Sequence, residues 1–226
     1  MHKGADQVQA RETKPSRMPA PRLATDRLSV ELATPAHAAL HAGFFARNRE
    51  HFARWDPPRG AVESVAYWAR TLAASMREFE AGSSVPLVVL PRQAEPDLLI
   101  GRINFTQIAR GAFHSCMLGF AVDREFEGRG LMHEALEASI DWLFDTLNLH
   151  RVQAAHRPEN ERSRLLLARL GFVREGLARQ YLFIDGAWRD HVINARLNPR
   201  FDESVFSRRR PSRSRPAASQ PNRARE

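Results

Sequence analysis

The sequence predicts a single domain of the α/β class, in which helices cover both faces of a mixed β-sheet. Two observations indicate this class. Segments with strand and helix patterns follow in the order strand, two helices, three strands, then strand and helix in alternation before a final hairpin. In addition, a loop containing Gly128 and Gly130 opens a helix directly after a strand pattern. At 226 residues the chain is long enough to bury the core of one such domain and to carry tails.

The first half of the domain is predicted to contain one strand, two helices and three further strands. A strand pattern runs over 27–32, and Thr34-Pro35 places a capping hydroxyl before a proline at the start of a helix that ends near Arg47. A second helix is predicted over 62–80 and is ended by Gly82. Three apolar strand patterns follow, at 85–90, 98–107 and 113–122. Their short polar connections favour antiparallel neighbours.

The second half is predicted to alternate helix and strand. Apolar residues at helical spacing indicate a helix over 132–147, followed by a strand at 150–155 and a helix at 160–170 that Gly171 closes. The last strand patterns cover 172–178, 181–184 and 188–197. Between the last two, Asp185-Gly186 is typical of a two-residue hairpin turn.

The net charge of +8 lies in the two ends of the chain. The first 22 residues carry five basic and two acidic groups and residues 200–226 carry eight and three, whereas the body has 21 arginines and 21 acids. Both ends are rich in Arg, Pro, Ala and Ser, so we predict disordered tails at 1–22 and 200–226 around a domain at 23–199. The arginine-rich run at 208–215 indicates either phosphate contacts with RNA or the ribosome, or a tail that only aids solubility.

The composition argues against several classes of protein. The single cysteine, Cys116, cannot form an internal disulfide, and its apolar surroundings favour a buried, inert thiol over a nucleophile. No apolar run has the length of a membrane span and no segment resembles a signal peptide, so we expect a soluble, cytoplasmic protein. The nine histidines are scattered, and His37 and His41, at i, i+4 spacing, have no third ligand nearby, so no metal site is predicted.

The glycine loop is the clearest chemical signal in the chain. Without a Cβ at Gly128 and Gly130, backbone amides at the helix N-terminus can converge on an anion, and a diphosphate fits best. Two glycines are too few for the dinucleotide fingerprint, and no Gly-Lys-Ser/Thr follows as in nucleoside-triphosphate loops. Coenzyme A is therefore the leading ligand. On this segment alone, a plain turn between strand and helix is an equal alternative.

Three segments resemble a known family, and they cover residues 127–136, 166–172 and 181–191. With the order of elements, they resemble the GNAT superfamily of acetyl-coenzyme A dependent N-acetyltransferases from about residue 23 to 198. Within it, the chain is similar to the ribosomal-protein alanine N-acetyltransferases of the RimJ and RimL type. The third segment is most similar to the RimJ branch, which acetylates the N-terminal alanine of small-subunit ribosomal protein five.

The resemblance implies that the strand before the glycine loop contacts the pantetheine arm of acetyl-coenzyme A, the expected co-substrate. The residues concerned are Phe120, Ala121 and Val122, and an amide there would also stabilise the oxyanion of the tetrahedral intermediate. Backbone amides would hold the diphosphate at the helix N-terminus, and they belong to Glu127, Gly128, Arg129, Gly130 and Leu131.

One position departs from the family pattern. Where relatives usually have Gln or Arg three residues before the first glycine, this chain has Glu125. A carboxylate would repel a diphosphate, so we expect the Glu125 side chain to turn away. Arg124 or Arg129 would supply the compensating charge.

The resemblance also implies a catalytic pair. Asn160 and Ser163 match the Asn-x-x-Ser pattern that relatives use beside the thioester, and Ser163 is the candidate acid for the leaving thiolate. The alternative is that Asn160 is only an N-cap and Ser163 the third residue of its helix.

An N-terminal α-amino group has a pKa near 7.7 to 8, so its deprotonation requires only a modest base. Glu63, His114 and Asp190 are candidates, although a surface or structural role is favoured for each. His191 is a candidate for shaping the acceptor mouth, and a hydrogen-bonded strand residue is the equal alternative. The region of Phe52 and Trp55 matches the acceptor wall of the family, with core packing as the alternative.

The expected function is acetyl transfer from acetyl-coenzyme A to the N-terminal amine of a protein, specifically a ribosomal protein that begins with alanine. One alternative is a GNAT enzyme for a small amine, such as an aminoglycoside or a polyamine. That enzyme would need an acidic cleft, and the neutral body gives no sign of one. The other alternative is a ribosome- or RNA-binding module in which the acetyltransferase body is only a scaffold.

Overall fold

The computed structural model describes residues 18–57, 60–93 and 98–207. The strands are β1 (Arg22–Ala24), β2 (Leu28–Leu32), β3 (Val85–Pro91), β4 (Gly101–Ala109), β5 (Ser115–Val122), β6 (Arg151–His156), β7 (Val173–Ile184) and β8 (Ala187–Leu197). The helices are α1 (Ala38–Arg47), α2 (Arg49–Ala53), α3 (Val65–Glu80), α4 (Leu131–Leu147), α5 (Glu161–Arg169) and α6 (Ser204–Ser207). Two 3-10 turns lie at Pro35–His37 and Arg124–Phe126.

The eight strands form one mixed sheet in the order β1-β2-β3-β4-β5-β6-β8-β7. Every neighbouring pair is antiparallel except β5 and β6, which run parallel because α4 carries the chain back between them. The predicted antiparallel pairing of β3, β4 and β5 is confirmed.

Apolar side chains build a core on each face of the sheet, as the fold class predicts. On one face, α4 covers the central strands through buried residues at helical spacing, among them Leu136, Ile140 and Leu143. On the other face, α1 to α3 form a second core around Phe44, Phe45 and Trp68. The sheet is therefore buried on both sides in its centre.

The structure differs from the predicted elements in several places. β1 and the five-residue α2 were not predicted, because both are too short to show a period. α3 begins at Val65, later than predicted, because Ser64 provides its N-cap and accepts a hydrogen bond from the Tyr67 amide at 3.3 Å. The predicted strands at 172–178 and 181–184 are one strand, β7.

The β7–β8 ribbon contains the predicted hairpin turn and a bulge that sequence reasoning missed. Asp185 and Gly186 both have positive φ, of 50° and 71°, as a two-residue turn of this type requires. The bulge lies between Ala178 and Leu182, where Gln180 has a φ of 48°. Its amide donates to the Asp190 carboxylate at 2.8 Å, which stabilises the unusual backbone.

The ordered body continues past the predicted boundary at residue 200. The Phe201 ring lies 5.5 Å from the ring of His114 and 5.2 Å from that of His150, and Phe206 lies 5.3 Å from His114. Asn148 exchanges two hydrogen bonds with the backbone of Asp202. At the other end, Met18 and Pro21 pack onto the body. Residues 1–17 and 208–226, the remainder of both predicted tails, lie outside the described residues.

Two further findings concern the sequence expectations. Within the described ranges, no helix is both long enough and apolar enough to cross a bilayer. Cys116 is buried, and burial raises the pKa of its thiol to about 12, which leaves it protonated and unreactive.

His41 is a buried histidine in the core formed by α1 and α3. Its ring centroid lies 4.8 Å from that of Trp68, and its Nδ1 lies 3.0 Å from the His37 carbonyl oxygen. Burial lowers the pKa of His41 to about 4, against the effect of the hydrogen bond to His37, and the nearby Arg102 adds to the lowering.

We expect this histidine to make the fold sensitive to acid. In the unfolded chain His41 takes up a proton near pH 6.5, whereas in the folded protein it stays neutral down to about pH 4. Protonation therefore favours the unfolded state between these two values. The contribution of His41 to the free energy of unfolding is complete above pH 6.5 and is lost as the pH falls from 6.5 to 4. The free energy of unfolding is expected to fall by about 3 kcal/mol over this pH range. Denaturant unfolding of the wild type and of His41→Phe at pH 7 and pH 4 checks this. The variant should lose about 3 kcal/mol less than the wild type, and equal losses would contradict the assignment.

Candidate active site

The end of the parallel ladder between β5 and β6 opens a cleft. The last paired residues are Leu118 and Ala154, yet β5 continues to Val122 and β6 to His156. Beyond this point β5 stays paired with β4, and β6 stays paired with β8, so neither strand can close the gap. The resulting cleft has a volume of about 600 Å³ and lies between α2, the glycine loop and the start of α5.

The glycine loop forms one end of this cleft. Gly128 and Gly130 adopt φ angles of 73° and 75°, a left-handed conformation that glycine adopts without strain. The Glu127 amide donates to the Arg124 carbonyl at 3.3 Å within the 3-10 turn, so it is already engaged. In the described part of the chain, the amides from Gly128 to Leu131 have no hydrogen-bond acceptor. They stand at the N-terminus of α4, where amides and helix dipole together favour an anion.

Two residues from the end of α1 hold the start of the loop. Asp123 is buried, and its carboxylate accepts hydrogen bonds from Arg47 at 2.9 and 3.2 Å and from the Glu125 amide at 3.1 Å. The Asn48 side chain accepts from the Arg124 amide at 2.9 Å. Sequence reasoning missed these residues. An aspartate at position 123 is typical of a helix N-cap and could have been predicted from the sequence. Its contact with Arg47, 76 positions earlier in the chain, could not.

The β1–β2 connection holds the other end of the loop. The Glu134 carboxylate, in the first turn of α4, accepts from the Thr25 hydroxyl at 2.5 Å and from Arg27 at 2.7 and 3.0 Å. The Arg27 guanidinium also donates to the Arg129 carbonyl at 3.0 Å. Burial opposes ionisation of Glu134, but these hydrogen bonds outweigh it and lower the pKa of the carboxyl.

The structure brings the predicted cofactor residues to this cleft. Phe120, Ala121 and Val122 line it from the unpaired end of β5, where backbone groups on the β6 side have no strand partner. Gly128, Gly130 and Leu131 line it from the glycine loop and the first turn of α4, and Glu127 adds its side chain. The Arg129 guanidinium instead lies 5.2 Å above the Phe126 ring, and Arg129 is not part of the cleft lining.

Asn160 and Ser163 face the glycine loop across the cleft. Asn160 is the N-cap of α5, and its side-chain oxygen accepts from the Ser163 amide at 3.1 Å. The Ser163 hydroxyl is half-buried and has no hydrogen-bond partner among the described residues. Asn160 therefore acts as an N-cap, and the Ser163 hydroxyl beside it is free to donate a hydrogen bond.

The charged side chains next to the cleft are not those that the sequence analysis singled out. Glu125 is exposed and absent from the cleft lining, and Arg124 lines an adjoining outer cavity. Of the two glutamates beside the glycines, Glu127 lines the cleft, and its carboxylate oxygens contact His51 at 2.9 Å and Arg162.

The candidate bases have structural partners away from the cleft lining. Glu63 pairs with Arg49. His114 lies at the other end of β5, where its Nδ1 contacts the Gly111 carbonyl, and Asp190 caps the bulge at Gln180.

Of the residues predicted for the acceptor side, Phe52 and Trp55 line the cleft, whereas His191 is not part of its lining. Phe52 and Trp55 line the cleft from α2 and the turn that follows it, and Phe52 also packs in the α1 to α3 core. His191 is buried against Tyr181, with Nδ1 3.1 Å from the Arg189 carbonyl. Burial lowers its pKa, and the hydrogen bond to Arg189 opposes this effect.

His37 and His41, the spaced pair considered for metal binding, serve different contacts. His37 accepts from the Thr34 amide at 3.0 Å and lies 3.2 Å from Glu31, while His41 faces the core. The described residues contain no group of histidine, cysteine and acidic side chains that could hold a metal ion.

Comparison with known proteins identifies the family. The family model for the acetyltransferase (GNAT) domain matches residues 27–173. The chain belongs to the GNAT acetyltransferase family. The predicted family and enzyme class are confirmed, and acetyl-coenzyme A is the co-substrate of this GNAT domain.

Relatives of this GNAT domain cover most of its length. The [ribosomal protein uS5]-alanine N-acetyltransferase of Escherichia coli is 41% identical over 188 residues, which span 81% of this chain and 94% of that protein. The crystal structure of ribosomal-protein-S5-alanine acetyltransferase from Vibrio fischeri has a TM-score of 0.77 and 34% identity, covering 80% of this chain and 99% of that one. Mycobacterium smegmatis RimJ in complex with CoA-disulfide has a TM-score of 0.71 and 29% identity, covering 80% and 90%. These likenesses confirm the predicted GNAT fold.

We expect Gly128→Ala to weaken coenzyme A binding because a methyl group would stand on the open face of the amide cradle. Its Cβ would meet no atom within 4 Å, so the stability cost comes from the positive φ alone, about 1 kcal/mol. Gly82→Ala is a matched control, with a φ of 76°, the same open space and a position at the end of α3 away from the cleft.

Titration calorimetry with coenzyme A and thermal unfolding check this prediction. Both variants should lose similar stability, and only Gly128→Ala should bind coenzyme A at least about tenfold more weakly. Equal affinities in the two variants would show that the loop does not hold the cofactor.

Proposed function

We propose that the chain transfers the acetyl group of acetyl-coenzyme A to the N-terminal α-amine of a ribosomal protein that begins with alanine. The observation that carries this proposal is the 41% identity to the Escherichia coli [ribosomal protein uS5]-alanine N-acetyltransferase over 94% of its length. The similarity to the Vibrio fischeri S5-alanine acetyltransferase, at 34% identity, supports the same acceptor class.

The cleft fits the two halves of acetyl-coenzyme A. The free amides from Gly128 to Leu131 suit its diphosphate, and the backbone groups of β5 that face β6 between Phe120 and Val122 suit the amide groups of its pantetheine arm. An amide on the same stretch would donate to the oxyanion that forms when the amine attacks the thioester carbonyl. These contacts would place the acetyl group where β5 and β6 separate.

The chemistry of this transfer asks little of an acid or a base. The α-amine has a pKa of about 8, so part of it is neutral at physiological pH, and the leaving thiol has a pKa of about 8.5. The Ser163 hydroxyl, which lines the cleft without a partner among the described residues, would donate a proton to the departing thiolate and would be reprotonated by the proton that the attacking amine nitrogen releases. Asn160 would fix the helix start that presents this hydroxyl.

The acceptor side carries one acidic group that suits an incoming amine. Glu159 lines the cleft and is exposed, and its hydrogen bond to its own backbone, with Arg157 beside it, lowers the pKa of its carboxyl. Arg157 donates to the Arg54 carbonyl at 2.6 Å and lies 5.5 Å from the Trp55 ring. This contact joins the end of β6 to α2 and forms a wall along which a peptide could enter.

The two alternatives gain no support from the cleft. A polyamine or aminoglycoside would require several unpaired acids, but Glu127 is paired with His51 and Arg162, and Glu161 with Arg164. The arginine-rich run at 208–215 lies outside the described residues, so contact with RNA or the ribosome stays a prediction.

The proposed activity is tested by incubating the protein with acetyl-coenzyme A and a short peptide that begins with alanine. We expect the peptide to gain the mass of one acetyl group at its N-terminus, with equimolar release of coenzyme A. A peptide whose α-amine is already blocked but which carries an internal lysine is the control. Acetylation of the blocked peptide, or of polyamines in preference to the free peptide, would contradict the proposal.

The role of Ser163 gives a separate prediction. Ser163→Ala should lower kcat for peptide acetylation by about tenfold to a hundredfold, because the thiolate then leaves without a proton donor. The KM for acetyl-coenzyme A should change little, and Ser163→Thr, which keeps a hydroxyl, should restore most of the rate. An unchanged kcat in Ser163→Ala would leave this serine with only its helical role.

A further inference from the structure

An outer cavity beside the glycine loop has no role in the function described so far. It has a volume of about 560 Å³ and is lined by Glu50, His51, Arg54, Arg124, Glu127, Gly128 and Arg162. Most of this lining is shared with the main cleft, so the two spaces are continuous. Three arginines and a histidine face two acids here, next to the loop that offers its amides to an anion.

Glu127 spans the passage between the two spaces. One of its carboxylate oxygens lies 2.9 Å from Nε2 of His51 on α2, and the other accepts a hydrogen bond from Arg162 on α5. Only 16% of the Glu127 side chain is exposed. The carboxylate therefore links two helices on opposite sides of the cleft, directly beside Gly128.

This arrangement conflicts with a bound diphosphate. The Glu127 carboxylate and a phosphate at the Gly128 amide would be neighbouring like charges, and the partly buried site screens such a pair poorly. His51 and Arg162, by contrast, are the groups that a phosphate needs. The Arg162 side chain is 76% exposed, so it can exchange partners without disturbing the core.

We propose that Glu127 is an internal competitor of coenzyme A, whose carboxylate occupies the place between His51 and Arg162 that a phosphate group of coenzyme A takes on binding. His51 and Arg162 are thus phosphate-binding residues that contact the Glu127 carboxylate when coenzyme A is absent. Binding transfers them from the carboxylate to the phosphate, and the Glu127 side chain turns away. This inference rests on acetyl-coenzyme A as the co-substrate and extends the site of the proposed function.

The sign of one substitution distinguishes this proposal from the opposite role. If Glu127 instead stayed in place and oriented its two partners toward the cofactor, Glu127→Gln would weaken binding. If the Glu127 carboxylate competes with coenzyme A, it weakens coenzyme A binding, and Glu127→Gln should strengthen that binding. Glu125→Gln is the matched control, because it removes the same charge from the same loop while its side chain is exposed and lines neither cavity.

The test is titration calorimetry of the full chain with coenzyme A, without an acceptor, together with thermal unfolding of the ligand-free protein. Glu127→Gln should lower the Kd for coenzyme A about fivefold and lower the melting temperature without ligand. Arg162→Gln should raise the Kd about fivefold, and Glu125→Gln should change neither quantity appreciably. An unchanged or higher Kd in Glu127→Gln, relative to Glu125→Gln, overturns the proposal.

Dephospho-coenzyme A identifies the phosphate concerned. A gain in Glu127→Gln that persists with this ligand, which lacks the 3′-phosphate, supports the proposal with the diphosphate as the partner. A gain confined to coenzyme A supports it with the 3′-phosphate as the partner. Because no peptide is present, the result is independent of whether the protein acetylates N-termini.

Discussion

The end of the β5–β6 ladder is the constraint on which the site depends. A parallel pair normally continues until both strands end, because each unpaired backbone group inside a protein costs free energy. Here pairing stops at Leu118 and Ala154 while both strands continue, and their other neighbours prevent a rearrangement. The free backbone groups must then be satisfied by water or by a ligand with amide groups of its own. The pantetheine arm of acetyl-coenzyme A is such a ligand.

A cleft of this kind only works if the loop at its end keeps its shape, and polar contacts provide this. Asp123 would be costly as an isolated buried carboxylate, and Arg47 and the Glu125 amide offset that cost. Because Arg47 comes from α1 and the Glu134 partners come from the β1–β2 connection, the loop is tied to two separate parts of the fold. Its amides can then point at an anion without being ordered by the anion itself.

The fold and the general position of the site could be predicted from the sequence, but the charges at the site could not. Periodicity predicted the strands and long helices because each buries one face or one run of residues. It missed α2, which is shorter than the helical pattern that periodicity detects, and it divided β7, because the bulge at Gln180 depends on a hydrogen bond to Asp190 in the opposite strand. The composition of the segment from residue 200 predicts a tail, whereas in the structure Phe201 and Phe206 pack against His114.

Glu125 and Glu127, the two glutamates next to the glycines, show that the direction of a side chain could not be predicted from the sequence. Comparison with the family pattern drew attention to Glu125, because its position differs in type from that of relatives. The structure leaves Glu125 in solvent and places Glu127 at the cleft, since the 3-10 turn at Arg124–Phe126 rotates the chain between them. The number of residues between two positions in a turn does not determine which way their side chains point, and the contacts of Glu127 with α2 and α5 show which of the two carboxylates lines the cleft.

The capping and catalytic interpretations of Asn160 and Ser163 are compatible once the atoms are separated. The cap uses only the side-chain oxygen of Asn160 and the backbone amide of Ser163. The Asn160 amide group and the Ser163 hydroxyl have no partners among the described residues, and both are hydrogen-bond donors. Donors are what the carbonyl groups of a pantetheine arm and a departing thiolate require. The cap therefore fixes the start of α5, from which both free donors are presented to the cleft, and the proposed chemistry would use them there.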